Sequence, residues 1–201
     1  MSRNIIAILR GIKPNEVLEI SQVIASSGIN YIEVALNSPD AFESIRLLRK
    51  NFSGYIQIGA GTVTKIGEVL ALSHLGVDFI VSPNFDPEVV KATKEAKIIS
   101  YPGVTTASEC YSAINCGADG LKFFPASLLG IENFKALNAI LPKDIPFYMV
   151  GGVGPESFQS WVNAGATGFG IGSGIYKVGD SPESVSVKSK LIVQSYDQAQ
   201  K

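Results

Sequence analysis

The 201-residue sequence holds one histidine, His74, two cysteines and one tryptophan. With so little histidine, and with neither Cys110 nor Cys116 in a CxxC pair, a zinc site built from cysteine and histidine is excluded. In an expected helix, six positions hold the two cysteines roughly 9 Å apart on different faces, so they do not pair with each other. Positive charge is not in surplus: 17 Lys and Arg stand against 18 Asp and Glu, a formal net charge of -1. Phosphate-backbone binding needs a cationic footprint, so nucleic acid is not an expected partner. No stretch approaches the roughly 20 apolar residues of a membrane span. The apolar run after Met1-Ser2-Arg3-Asn4 is too short for a secretory signal. A soluble cytoplasmic protein with no membrane partner is expected.

What the chain does have is short apolar or β-branched runs, each followed by turn residues and a stretch of helical periodicity. The runs are Ile5 to Leu9, Tyr31 to Leu36, Tyr55 to Gly59, Phe79 to Val81, Ile98 to Tyr101, Gly120 to Phe123, Phe147 to Val150 and Gly168 to Ile171. Helices are expected to begin near Pro14, Pro39, Lys65, Asp86, Thr106, Ile131, Pro155 and Pro182, several with proline in the first turn. Near-continuous apolar strands alternating with helices imply a parallel sheet buried on both faces. Eight units of about 25 residues suit a minimal barrel, and no strand leads into the GxGxxG of a dinucleotide-binding sheet. We therefore expect an α/β fold, a single (β/α)8 TIM barrel over residues 1–201, with no linker and no obvious repetition of residues. Function in such a barrel belongs at the C-terminal ends of the strands.

Three charges lie in or at the end of these runs: Arg10 after Ile-Ala-Ile-Leu, Glu33 within Tyr-Ile-Glu-Val-Ala-Leu-Asn, and Lys122 within Gly-Leu-Lys-Phe-Phe-Pro. Strand alternation groups Glu33 with Ala35 and Asn37, and Lys122 with Gly120 and Phe124, which points both charges into a crowded interior. One reading is a structural ion pair. The other is chemical: an amine stripped of water favours its neutral form and can attack a ketone, with Glu33 placed to move protons.

Glycine clusters follow the seventh and eighth runs, Gly151-Gly152-Val153-Gly154 and Gly170-Ile171-Gly172-Ser173-Gly174. Each alone could serve a turn; both together, after these two strands, point to a phosphate cradle of backbone N–H groups with the Ser173 hydroxyl added. Thr62, in Gly-Ala-Gly-Thr-Val, is either a donor to a substrate carboxylate or a helix N-cap. His74 and Trp161 read as helix residues without a chemical role.

Taken together, Ala-Ile-Leu-Arg-Gly-Ile, Ile-Glu-Val-Ala-Leu-Asn-Ser-Pro, Gly-Ala-Gly-Thr-Val, Ser-Pro-Asn, Tyr-Pro-Gly-Val-Thr-Thr, Leu-Lys-Phe-Phe-Pro-Ala, Val-Gly-Gly-Val and Ile-Gly-Ser-Gly resemble, in order and spacing, the class I 2-keto-3-deoxy-6-phosphogluconate and 2-keto-3-deoxy-6-phosphogalactonate aldolases. The resemblance implies that Lys122 forms the imine and Glu33 serves as general acid and base. It implies that Arg10 and Thr62 hold the carboxylate, that Gly151, Gly152, Gly172 and Ser173 hold the phosphate, and that Pro83, Pro102 and Phe124 line the pocket around the pyruvyl methyl. It also implies a homotrimer acting on a phosphorylated keto-acid sugar without metal or other cofactor.

Two departures bear on specificity within that family. Asn37 stands where gluconate-type members resemble Glu-Val-Thr-Leu-Arg, which leaves more of the carboxylate to Arg10. Val150 stands before Gly151 where those members carry threonine, removing a hydroxyl that could meet the substrate C4 hydroxyl. Both favour the galactonate type over gluconate or 4-hydroxy-2-oxoglutarate specificity. A non-catalytic phosphosugar-binding barrel would not need Lys122, and a phosphosugar epimerase would need groups without counterparts here.

Overall fold

In the structure, a computed structural model, residues 3–52 and 54–201 are described. Nine parallel strands form among them: β1 (Ile5–Leu9), β2 (Tyr31–Ala35), β3 (Gln57–Gly61), β4 (Phe79–Val81), β5 (Ile99–Tyr101), β6 (Gly103–Val104), β7 (Leu121–Phe123), β8 (Phe147–Val150) and β9 (Gly168–Ile171). Their hydrogen-bonded order is β5-β4-β3-β2-β1-β9-β8-β7-β6. The two ends of that order are separated in the chain only by Pro102, so β5 and β6 are halves of one stave and the sheet curls into a (β/α)8 barrel. Pro102 has no N–H to donate to a ladder, and its carbonyl accepts the Lys122 N–H at 2.9 Å.

The surrounding helices are α1 (Val17–Ser26), α2 (Ala41–Phe52), α3 (Ile66–Leu75), α4 (Pro87–Glu95), α5 (Ala107–Asn115), α6 (Ala126–Leu129), α7 (Ile131–Ile140), α8 (Phe158–Asn163) and α9 (Pro182–Ala199). Asp86 and Thr106 cap α4 and α5, as their positions in the sequence suggest. The short α6 is an addition to the expected set. Cys110 and Cys116 are both free.

Alternation along the strands divides the apolar residues between two packings. Ile5, Ala7, Leu9, Ile32, Val34, Leu121 and Phe123 face the helices and join one large core. Ile6, Ile8, Phe79, Val81, Tyr101, Tyr148 and Val150 form a second cluster inside the barrel. Its aromatic rings touch in sequence, with centroids 5.9 Å apart for Tyr31 and Phe79, 6.1 Å for Phe79 and Tyr101, and 5.0 Å for Tyr101 and Tyr148. Glycine makes room for them: a Cβ on Gly59 would fall 2.3 Å from the Phe79 ring, and one on Gly168 2.7 Å from that of Tyr148.

The third strand begins two residues later than the apolar run suggests. Its first ladder bond, from the Gln57 N–H to the Asn30 carbonyl at 2.7 Å, forms only after a left-handed turn at Gly54, and Tyr55 is left 82% exposed. A repeat of residues is also present after all, in Gly28-Ile-Asn30, Gly76-Val-Asp78, Gly117-Ala-Asp119 and Gly165-Ala-Thr167. Each glycine has positive φ, and the residue two positions later stands one or two places before the next strand. Asp78, Asp119 and Thr167 each donate their N–H to a carbonyl of the preceding stave, on Ile58, Ser100 and Phe147, and accept that same residue's N–H on the side chain. Arg49 and Lys94 pair with the two aspartates at 2.7 and 2.6 Å. These braces tie the N-terminal end of the barrel, where stability is expected to reside.

Gly59→Ala is expected to destabilise the fold by about 2 kcal/mol through overpacking against Phe79, lowering Tm by roughly 4–8 °C. Gly67→Ala, at an open position in α3, is expected to raise Tm slightly; calorimetry on the two variants checks both signs.

Candidate active site

Lys122 and Glu33 both point into the barrel. Their strand neighbours Leu121, Phe123, Ile32 and Val34 occupy the helix side, while Lys122 is 5% and Glu33 2% exposed. Register sets Lys122 between Gly103 and Tyr148, and Glu33 between Ile8 and Gly59. A Cβ on Gly61 would fall 1.6 Å from Glu33 Oε1, so only glycine leaves the carboxyl where it lies. Lys122 Nζ stands 4.8 Å from the centroid of the Phe124 ring.

Burial disfavours the charged form of both groups. It lowers the Lys122 amine from its ordinary value, against the attraction of Glu33, and the Arg10 charge pushes the same way as burial. It raises the Glu33 carboxyl, against the attraction of Lys122 and then Arg10. The two feel each other's charge, yet no hydrogen bond or ion pair within 4 Å joins them among the described residues. The pair is thus poised toward a neutral amine facing a protonatable acid.

Arg10 lies just beyond β1 and is exposed. Its Nη1 donates to Asn37 Oδ1 at 2.7 Å and its Nη2 to Thr62 Oγ1 at 3.5 Å, so three of the expected site residues meet at the ends of the first three strands. Thr62 does not cap α3. Lys65 takes the cap position, and the Glu68 carboxylate accepts the N–H groups of Thr64 and Lys65. Thr62 instead holds a φ of 60°, a conformation that strains a β-branched residue and marks the rim of the site.

Arg10, Phe124 and Val150 also line a cavity of about 440 Å³ whose remaining wall is Ile8, the 151–156 segment and Gly170, Gly172, Ser173 and Gly174. Both glycine clusters therefore converge on one space. Gly151 and Gly152 have φ of 88° and 70°, and the Ser127 N–H in α6 donates to the Gly151 carbonyl at 3.0 Å. In a planar trans peptide this directs the Gly152 N–H away from α6. Pro83, half-buried, and Pro102, buried, lie outside this wall; the Pro83 carbonyl packs against Gly103, where a Cβ would come within 2.3 Å of it.

Two members of the site escaped the sequence reading. Glu156 brings a carboxylate into the cavity wall, and its position six residues past β8, behind Gly154-Pro155, was the only signal. Ser38 is buried beside Arg10, hidden in an Asn-Ser-Pro that reads as an ordinary turn. Among the described residues, no group of three or more His, Cys, Asp or Glu is placed to hold a metal ion, and no helix is long and apolar enough to cross a membrane.

A family model described as KDPG and KHG aldolase matches residues 1–186. The 2-dehydro-3-deoxy-6-phosphogalactonate aldolase of Escherichia coli strain K12 is 40% identical over 195 residues, 97% of this chain and 95% of that one. A solved structure described as native KDPGal matches with a TM-score of 0.98 at 38% identity, covering 100% of this chain and 97% of the other. The KDPG aldolase of Legionella pneumophila, solved with pyruvate captured at low pH as a covalent carbinolamine intermediate, matches with a TM-score of 0.83 at 26% identity, covering 98% and 94%.

Two buried ionisable groups without direct contact cost stability. The double variant Lys122→Met with Glu33→Gln is expected to be more stable than the parent by about 1–3 kcal/mol, read as a higher urea midpoint at unchanged slope. A lower midpoint would mean that the pair stabilises the barrel.

Proposed function

The chain belongs to the KDPG and KHG aldolase family, and on that footing we propose that it is a class I aldolase that reversibly cleaves 2-keto-3-deoxy-6-phosphogalactonate to pyruvate and glyceraldehyde 3-phosphate. The observation that carries this reading is a lysine amine buried inside the barrel, its basicity lowered by burial, facing a buried glutamate.

In this reading the neutral Lys122 amine adds to the substrate ketone, and the carbinolamine loses water to give an iminium. The iminium is the electron sink: as the C3–C4 bond breaks, its electron pair moves into a pyruvate enamine while the C4 hydroxyl loses its proton and becomes the aldehyde of glyceraldehyde 3-phosphate. Glu33 takes that proton, through a water, and returns one to the enamine carbon. Water then adds to the pyruvate iminium, and pyruvate leaves with the Lys122 amine restored. Arg10 and Thr62 hold the carboxylate end, with Asn37 orienting Arg10. Gly151, Gly152, Gly172 and Ser173 receive the phosphate, and Pro83, Pro102 and Phe124 enclose the pyruvyl methyl.

The galactonate epimer is favoured by Val150, which offers no hydroxyl at the cavity wall, and by the 40% identity to a relative bearing that name. The reading extends to a cytoplasmic homotrimer. Two free cysteines suit a reducing compartment. Leu128, 82% exposed, and Ile140, 53% exposed, flank a cleft lined by Leu129, Ala136 and Leu137 that offers an apolar face to another subunit.

Borohydride reduction with pyruvate, followed by peptide mass mapping, is expected to place the adduct on Lys122; its absence there sinks the imine mechanism. Lys122→Ala is expected to abolish cleavage, and Glu33→Gln to slow it by roughly 10² to 10⁴. Side-by-side assays of the two C4 epimers are expected to show a higher kcat/KM for the galactonate form. Preference for the gluconate form would move the assignment to that branch of the family.

A further inference from the structure

The corner that follows β2 contains an arrangement to which the reaction as described gives no part. Ser38 is 7% exposed. Its hydroxyl accepts the Gly11 N–H at 2.8 Å and donates to the Leu9 carbonyl at 3.3 Å. Those two backbone groups flank Arg10. The strand has already ended at Leu9, and Gly11 turns through a φ of 82°, so regular pairing does not fix the backbone at this point. A hydroxyl is suited to the task because one oxygen both donates and accepts. The adjacent Asn37 Oδ1 holds the far end of the same side chain through Nη1 at 2.7 Å. Arg10 is thus gripped at its root and at its tip by consecutive residues.

We infer that Ser38 is a positioning residue that fixes Arg10 for the carboxylate end of the substrate, by fastening the backbone on both sides of it. An exposed arginine side chain has many rotamers, and holding it in one geometry before substrate arrives lowers the ordering cost of binding. Asn37 alone restrains the guanidinium but not the Cα from which it swings. This inference rests on the aldolase reading above.

The test is a double-mutant cycle of Arg10→Ala and Ser38→Ala, with KM and kcat for cleavage of the phosphorylated keto acid and borohydride trapping of pyruvate as readouts. Ser38→Ala is expected to raise KM about 10-fold, with kcat within about 3-fold of the parent and trapping intact. In the Arg10→Ala background the same substitution is expected to change KM less than 2-fold, because the side chain it positions is gone. Ser38→Cys, similar in volume with a weaker donor, is expected to give an intermediate KM. An unchanged KM in Ser38→Ala, effects that multiply in the double variant, or a kcat that falls as far as KM rises would each overturn the inference while leaving the aldolase reading in place. Absence of trapping in the unsubstituted protein overturns that reading and the inference with it.

Discussion

Taking an amine and a carboxyl out of water, into a barrel filled by aliphatic and aromatic side chains, is the constraint on which the arrangement of the site depends. Burial presses Lys122 and Glu33 toward their neutral forms, and their mutual attraction presses back. A direct ion pair would let attraction win and hold the amine protonated. The two are instead kept out of contact, and Arg10 at the mouth adds its charge to the same balance. Glycine at 61 belongs to this device, since any side chain there would displace the Glu33 carboxyl.

The barrel and the inward burial of two charges were legible because each rests on a local contradiction or a periodicity. The apolar runs recur with helical stretches between them, and a charge inside such a run is costly unless it is turned inward toward a partner or a task. Lys122 and Glu33 could be placed from alternation alone. The start of β3 could not, because Tyr55 and Ile56 look like strand while the Gly-Ala-Gly that completes it looks like turn. What admits those glycines is the bulk of Phe79 and Glu33 on neighbouring strands, which is tertiary information. The role of Thr62 was ambiguous for a similar reason: a threonine between a strand and a helix suits a cap, and only the folded chain shows Lys65 in the cap position and the Thr62 hydroxyl accepting from Arg10. Glu156 and Ser38 lie in loops, where residue type says little until the partners are known.

The two ends of the barrel are built by different rules. At the N-terminal end the same device, a left-handed glycine followed by a polar residue that exchanges two hydrogen bonds with the preceding strand, recurs at Asp78, Asp119 and Thr167. At the C-terminal end the loops differ: one carries Arg10, one Asn37 and Ser38, one a strained threonine, and two are rich in glycine. The repeated end can fix the staves independently of the loops, so the loops are free to differ.

The seam between β1 and β9 joins Ile5 to Phe169 and Ala7 to Ile171, and it is reinforced outside the barrel by the two hydrogen bonds from Arg3 to Asp197. Strands so distant in the chain cannot meet until nearly all of it has been synthesised. The enclosed interior whose burial shifts Lys122 and Glu33 is therefore complete only when the first and last staves have been joined.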